Sequence, residues 1–136
     1  MATFNSEFEI YFEDISPSGN VHLEKIAEWM SMGRERYFRA TCPDHLKFVD
    51  GGVSMFTVGM SIHIKEKSKW ADKVRLSIKT ARIKKISFEM LFDFKNERTN
   101  QVIAQGVQKV AFIKQDAENF APIPDDMKNV IVNYLE

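Results

Sequence analysis

The hydrophobic pattern changes period near residue 20, and that change limits what the chain can fold into. Phe8, Ile10 and Phe12 share one face of an alternating stretch whose other face carries Glu7, Glu9, Tyr11 and Glu13. Period two with one apolar face is the pattern of a half-buried strand. Ser16-Pro17-Ser18-Gly19-Asn20 then supplies a dense turn signal. Beyond it, apolar residues recur every three or four positions: Leu23, Ile26, Met30, Gly33 and Tyr37, with Ala27, Trp29 and Phe38 widening the stripe. The spacing predicts a helix from about Leu23 to Ala40, which at ~1.5 Å per residue spans roughly 25 Å. Gly33 in its middle costs about 1 kcal/mol relative to Ala, and close approach of the helix backbone to a sheet is the return expected for it.

Thr41-Cys42-Pro43-Asp44 ends the helix, and a loop runs to Gly51-Gly52. Alternation then resumes and dominates as far as Gln115. Phe56, Val58, Met60, Ile62 and Ile64 form one set, Val74, Leu76 and Ile78 a second, and Ile86, Phe88, Met90, Phe92 and Phe94 a third. A last strand, Val102 to Ile113, is mixed on both faces. Pro122-Ile123-Pro124 introduces a short helix with Asp125 or Asp126 as its N-cap and Met127, Val130, Ile131 and Tyr134 as its stripe. Consecutive strands favour antiparallel pairing, and a sheet with one apolar face needs a cover. The expectation is an α+β fold over residues 1–136 as a single domain: an antiparallel curled sheet of about five strands wrapped around one long central helix.

Composition narrows the function classes. A chain of 136 residues with 44% hydrophobic side chains buries enough surface to fold without a disulfide or metal staple. Lys+Arg and Asp+Glu are both 19, so the basic excess that neutralises nucleic-acid phosphates is missing. The single cysteine, Cys42, excludes an internal disulfide and a Cys-based zinc site. No apolar run reaches the ~18 residues of a membrane span, and the first residues lack the charged and apolar regions of a secretory signal. A cytoplasmic protein without nucleic-acid or membrane partners is expected.

Several residues offer chemistry. A glycine-containing turn that opens a helix presents free backbone N–H groups and the positive end of the helix dipole, a site for an oxyanion or phosphate; the same turn also serves as an ordinary helix start. Glu9, Glu13 and Asp14 precede it. A carboxylate there can act as general base, with Asp14 sharing strand parity with Ser16, or can belong to a solvated face. Arg34 falls inside a helix that should be mostly covered, and a buried guanidinium needs partners. A substrate carbonyl or carboxylate would supply one; a flank salt bridge with Glu13 or Glu35 is the alternative. His22, His45 and His63 have no metal-like spacing, and no nucleophile elbow is present. No metal and no cofactor are expected. Lys65 to Lys69 and Arg82-Lys84-Lys85 suit phosphates or an acidic protein, or are solvated strand ends.

The run Tyr11-Phe12-Glu13-Asp14-Ile15-Ser16-Pro17-Ser18-Gly19-Asn20-Val21, with Trp29, Gly33-Arg34 and Tyr37-Phe38 in the helix behind it, resembles the hot-dog-fold thioesterases of the 4-hydroxybenzoyl-CoA thioesterase family. Trp70-Ala71-Asp72-Lys73-Val74 is similar to that family's strand entry, and Ala121-Pro122-Ile123-Pro124-Asp125-Asp126 to its C-terminal helix. With Gly19 fixing the register, Ser16 stands where the main branch has its catalytic Asp, and Asp14 matches a second acidic residue just upstream. His22-Leu23 stands where many members have Tyr-Phe or Tyr-His. Gly19-Asn20-Val21, Trp29 and Arg34-Glu35 resemble the enediyne polyketide thioesterase branch, which has a neutral Asn at the position of Ser16.

The resemblance implies a hydrolase for a long acyl or β-ketoacyl thioester, releasing a polyketide-type chain from an acyl carrier protein. It also implies a homodimer or homotetramer with the substrate tunnel at the subunit interface. Backbone N–H groups of His22 and Leu23 would polarise the thioester carbonyl, Arg34 would anchor the thioester or β-keto oxygen, and Ser16, or Asp14, would position water. Met30 and Phe38 would line the tunnel. A general acyl-CoA thioesterase and a non-catalytic acyl-thioester binding protein are the alternative functions.

Overall fold

In the computed structural model, residues 2–43, 52–115 and 119–136 are described. Strand β1 (Phe4–Glu9) leads through a 3-10 turn (Phe12–Asp14) to helix α1 (Leu23–Thr41). Strands β2 (Val53–Ile64), β3 (Lys73–Ala81), β4 (Ser87–Asn96) and β5 (Val102–Lys114) follow, then helix α2 (Asp125–Val132). The strands form one antiparallel sheet in the order β1-β3-β4-β5-β2. His45 falls outside the described residues. Among those described, no helix is long and apolar enough to cross a membrane.

Most of the predicted stripe is the buried face of α1, Ile26, Trp29, Met30, Gly33, Tyr37 and Phe38; Ala27 is partly buried and Leu23, at the helix start, is exposed. It meets the alternate residues Val74, Leu76 and Ile78 of β3 and Phe88, Met90, Phe92 and Phe94 of β4. Trp29 stacks on Phe8 of β1 with ring centroids 5.1 Å apart. Gly33 lies directly on Leu76, where an added Cβ would collide with the leucine δ-methyl. This is the close approach expected from a glycine in mid-helix. Met30 is seated the same way over Gly106 of β5.

Two local expectations fail for identifiable reasons. The alternation places Phe12 on the buried face of β1; it is 82% exposed. The strand stops at Glu9 because the Asp14 carboxylate accepts the Tyr11 N–H at 2.9 Å and closes a 3-10 turn over Phe12–Asp14. A side-chain cap thus overrides the alternation. Helix α2 has Pro124 at its N-cap, so Asp125 and Asp126 are not caps. They occupy the first turn, where carboxylates suit the helix dipole. The second helix packs Met127 and Ile131 into the core beside the long one.

The two sheet edges differ. β1 has six residues, exposes Glu7 and Glu9, and is held by Arg36, which donates to Ser6 Oγ and the Glu7 carbonyl. β2 has twelve residues and exposes Phe56, Val58 and Met60 at 36%, 49% and 42%. A long apolar edge is a template for another strand. A bulge between Thr57 and Gly59 bends it.

Candidate functional site

The segment between β1 and α1 is a braced turn. Ile15 and Val21 form a bridge, the Ser16 N–H donates to the Asn20 carbonyl at 2.8 Å, and the Gly19 N–H to the Ser16 carbonyl at 2.9 Å. Gly19 has φ +91°, a value glycine adopts without strain. Asp14 is 2% exposed. Its carboxylate takes the Tyr11 N–H and lies 3.3 Å from the Lys25 ammonium. Lys25 is held above its ordinary range, chiefly by its hydrogen bond to Glu28 and also by Asp14, against the opposing pull of desolvation.

Ser16 is partly buried at the turn. Its Oγ is 2.7 Å from Ser18 Oγ, and Ser18 donates its proton to Asn20 Oδ1 at 3.0 Å. Since Ser18 has one proton to give, Ser16 is the donor in the first bond, and its lone pairs are left to accept.

Helix α1 starts with His22 at its N-cap and no side-chain cap. The His22 N–H donates to the Asp14 carbonyl at 2.9 Å, which corrects its assignment as a free oxyanion donor: it closes the turn instead. The first-turn N–H groups of Leu23 and Glu24 have no intrahelical acceptor, and Leu23 is 51% exposed.

Arg34 lies three turns along the helix. Its Nη1 donates to Thr57 Oγ1 at 2.9 Å and to Gln108 Oε1 at 3.2 Å. Among the described residues it has no ion pair; Glu35, the flank partner considered from the sequence, pairs with Arg39 at 3.3 Å. Burial lowers the Arg34 pKa. Arg34 lines a cavity of about 330 Å³ between α1 and β2 with Ser31, Glu35, Phe38 and Met55. Phe38 is thus at the cavity wall. Met30 is not among these lining residues; it is fully buried over Gly106. Arg34 is eleven positions on from Leu23, about 16 Å along the axis. One chain therefore does not bring the turn and the guanidinium to a single carbonyl.

Thr57 and Gln108 escape a reading of motifs. The only signal is Gln108 itself, a polar side chain among Ala104, Gly106, Val110 and Phe112, where the alternation calls for apolar residues.

The basic loop after β2 braces the turn. The Ser68 N–H donates to the Gly19 carbonyl at 3.1 Å, and the Lys67 stem packs on Gly19. Asp72 anchors this loop, accepting from Arg98 Nε at 2.8 Å, Asn96 Nδ2 at 2.8 Å and the Lys69 N–H at 2.9 Å. The Arg98 guanidinium first, then Asn96 and the Lys69 N–H, hold the Asp72 carboxyl well below the usual carboxylate range. Its folded pKa lies below its unfolded value of about 3.9, so its contribution to stability is present above that value and lost as pH falls toward the folded pKa. Urea midpoints should fall on acidification below about pH 4, and Asp72→Asn should flatten that acid limb while lowering the midpoint at neutral pH. An unchanged acid limb would remove Asp72 as the anchor.

The model of the thioesterase-like superfamily matches residues 10–131. No curated protein matches the chain. Among solved structures, the dynemicin thioesterase is 18% identical over 99% of this chain and 99% of that one, with a TM-score of 0.89. A 1,4-dihydroxy-2-naphthoyl-CoA thioesterase from Synechocystis is 16% identical over 97% of each chain, with a TM-score of 0.85. A Staphylococcus aureus protein solved in complex with CoA is 11% identical over 98% of this chain and 84% of that one, with a TM-score of 0.87. At these identities the structural likeness carries the fold.

Proposed function

The chain belongs to the thioesterase-like superfamily and is a thioester hydrolase with the hot-dog fold; from that premise we propose that it releases a long acyl or β-ketoacyl chain from an acyl carrier protein. The observation that carries this reading is Arg34: a partly buried guanidinium with neutral partners, lining a cavity between α1 and β2. A cation that has no counter-ion among the described residues in such a place suits an oxygen brought by the substrate. Gly19-Asn20-Val21, Trp29 and Arg34-Glu35 support a place nearest the enediyne-type branch.

The working enzyme is a homodimer joined along β2. Phe56, Val58 and Met60 and the open strand edge are covered by a second copy, and a two-fold pairing closes such an edge without leaving another. The groove between α1 and β2 becomes the acyl tunnel, with Phe38 on its wall, and the Ser16–Leu23 turn of one copy meets Arg34 of the other. The Leu23 N–H, at the positive end of α1, polarises the thioester carbonyl; removing one such donor typically costs about 10²–10³ in rate. Ser16 Oγ accepts a hydrogen from the attacking water and orients it, and Asp14 holds the turn in shape. The water oxygen bonds to the carbonyl carbon, the C–S bond breaks, and the water proton ends on the leaving thiolate, giving an acid and a thiol. With no charged base at the position of Ser16, a slow enzyme is expected, since general-base catalysis contributes about 10²–10⁴.

Free-thiol release from one long β-ketoacyl chain, presented on a carrier protein and on CoA, tests the reading. Faster release from the carrier protein is expected. Release from CoA alone would make the protein a general acyl-CoA thioesterase. Binding of both without release would make it an acyl-thioester binding protein.

A further inference from the structure

Gln108 is the one buried polar side chain on the inner face of β5 among Ala104, Gly106, Val110 and Phe112, and it is fully inaccessible to solvent. Its amide orientation is dictated by its neighbour. Arg34 has only donors to offer, so the oxygen must face it, and the Oε1 atom accepts from Arg34 Nη1 at 3.2 Å. The Nε2 atom, on the same amide carbon, is then directed beside that contact, where it is buried with no hydrogen-bond partner among the described residues. An unpaired buried amide donor costs on the order of 1–3 kcal/mol. Beside it stands the partly buried Arg34 guanidinium, whose Nη1 donates to Thr57 and Gln108 and which has no ion pair among the described residues. Buried polar groups are nearly always satisfied; Gln108 stands behind the cavity wall, one hydrogen bond from Arg34, which lines it, so a ligand that shifts that wall would meet Nε2.

We infer that Gln108 is a specificity-determining residue of the acyl site, its Nε2 donating to a second oxygen on the acyl chain while its Oε1 holds Arg34 in place. This rests on the thioesterase reading above and deepens it. Arg34 and Gln108 Nε2 lie on either side of a single amide oxygen. They therefore suit two acceptor oxygens close together on one chain, as in a 3-oxoacyl thioester, where one methylene separates two carbonyls. A saturated chain has nothing to offer Nε2 and leaves it unpaired. Discrimination of this kind, where a polar group in the site goes unsatisfied with the wrong ligand, is the strong kind.

The test reads binding, so it does not depend on turnover. Carba analogues of CoA thioesters, with CH2 in place of the sulfur, are made with a 3-oxo chain and with a saturated chain of equal length. Their Kd values are measured by titration calorimetry on the wild type, Gln108→Met and Gln108→Glu. The wild type should bind the 3-oxo analogue at least about tenfold more tightly, as expected for one extra satisfied hydrogen bond. Gln108→Met loses both amide functions. Gln108→Glu keeps an acceptor for Arg34 and loses the donor. Both should bring the ratio close to one. A wild-type ratio near one would overturn the inference and assign the Nε2 partner to a trapped water. A ratio lost in Gln108→Met but kept in Gln108→Glu would also overturn it, reducing Gln108 to a holder of Arg34. If Gln108→Met does not fold, the wild type and Gln108→Glu decide alone. Hydrolysis of the parent thioesters by the wild type is scored separately and judges the thioesterase reading, whichever way the ratios fall.

Discussion

Arg34→Ala is expected to lower kcat/KM for a long β-ketoacyl thioester by about 10²–10³, the loss typical of removing a preorganised donor to a reacting oxygen. The expectation follows from what Arg34 lacks. A structural arginine in a partly buried position is normally paired with a carboxylate, because desolvating an unpaired cation is costly. Here Nη1 touches Thr57 Oγ1 and Gln108 Oε1, both neutral, and among the described residues no carboxylate pairs with it to offset the desolvation that lowers its pKa. The position is therefore costly to the free protein and repaid when an oxygen with developing negative charge arrives. Arg34→Lys is the informative companion. An ammonium keeps the charge but not the planar fork that reaches Thr57, Gln108 and a ligand at once, so it should recover only a part of the rate. Thiol-release kinetics with both variants at equal thermal stability checks this. Wild-type kcat/KM in Arg34→Ala would remove the guanidinium from the reaction and leave it a packing role on the flank of α1.

How much of this was legible beforehand depends on the range over which each feature is set. The stripe from Leu23 to Phe38 and the alternation in β3 and β4 are short-range periodicities, and they specify which faces meet. Gly33 could be read as a contact point before its partner was known, because a mid-helix glycine needs a reason; the partner, Leu76 of β3, needed the fold. Phe12 misled because alternation and side-chain capping compete over the same three residues, and the Asp14 carboxylate wins locally. The His22 N–H misled for the same cause, a short hairpin-like closure onto the Asp14 carbonyl. The surroundings of Arg34 were out of reach. Its partners stand 23 and 74 residues away in the chain, on the two strands that pair last in the sheet order. No spacing rule links a helix arginine to a strand glutamine; only the β2–β5 register, which sets Met60 opposite Gln108, brings them under one helix.

Mixing Arg34→Ala chains with Ser16→Ala chains is expected to restore thiol release that each variant alone has lost. The argument is geometric. A β-keto oxygen sits two carbons from the thioester carbonyl, whereas the start of α1 and Arg34 are about 16 Å apart along a rigid helix axis. Within one chain, a group at Leu23 and a group at Arg34 cannot both hold the reacting end of one substrate. A two-fold dimer along β2 removes the conflict, since each site then draws its turn from one copy and its guanidinium from the other. In a mixed dimer one site collects both substitutions and the other collects neither. Each mixed dimer should therefore work at about half the wild-type rate, while dimers of either variant alone retain the roughly 10²-fold or larger defect of a missing catalytic donor or water acceptor. Co-expression with two different tags, purification over both, and a thiol-release assay give the result directly. Sites built within one chain predict no recovery at all, because every site would then carry one lesion. Absence of recovery in a doubly tagged dimer would separate the two groups functionally, leaving the turn to the thioester and Arg34 to an oxygen far down the acyl chain.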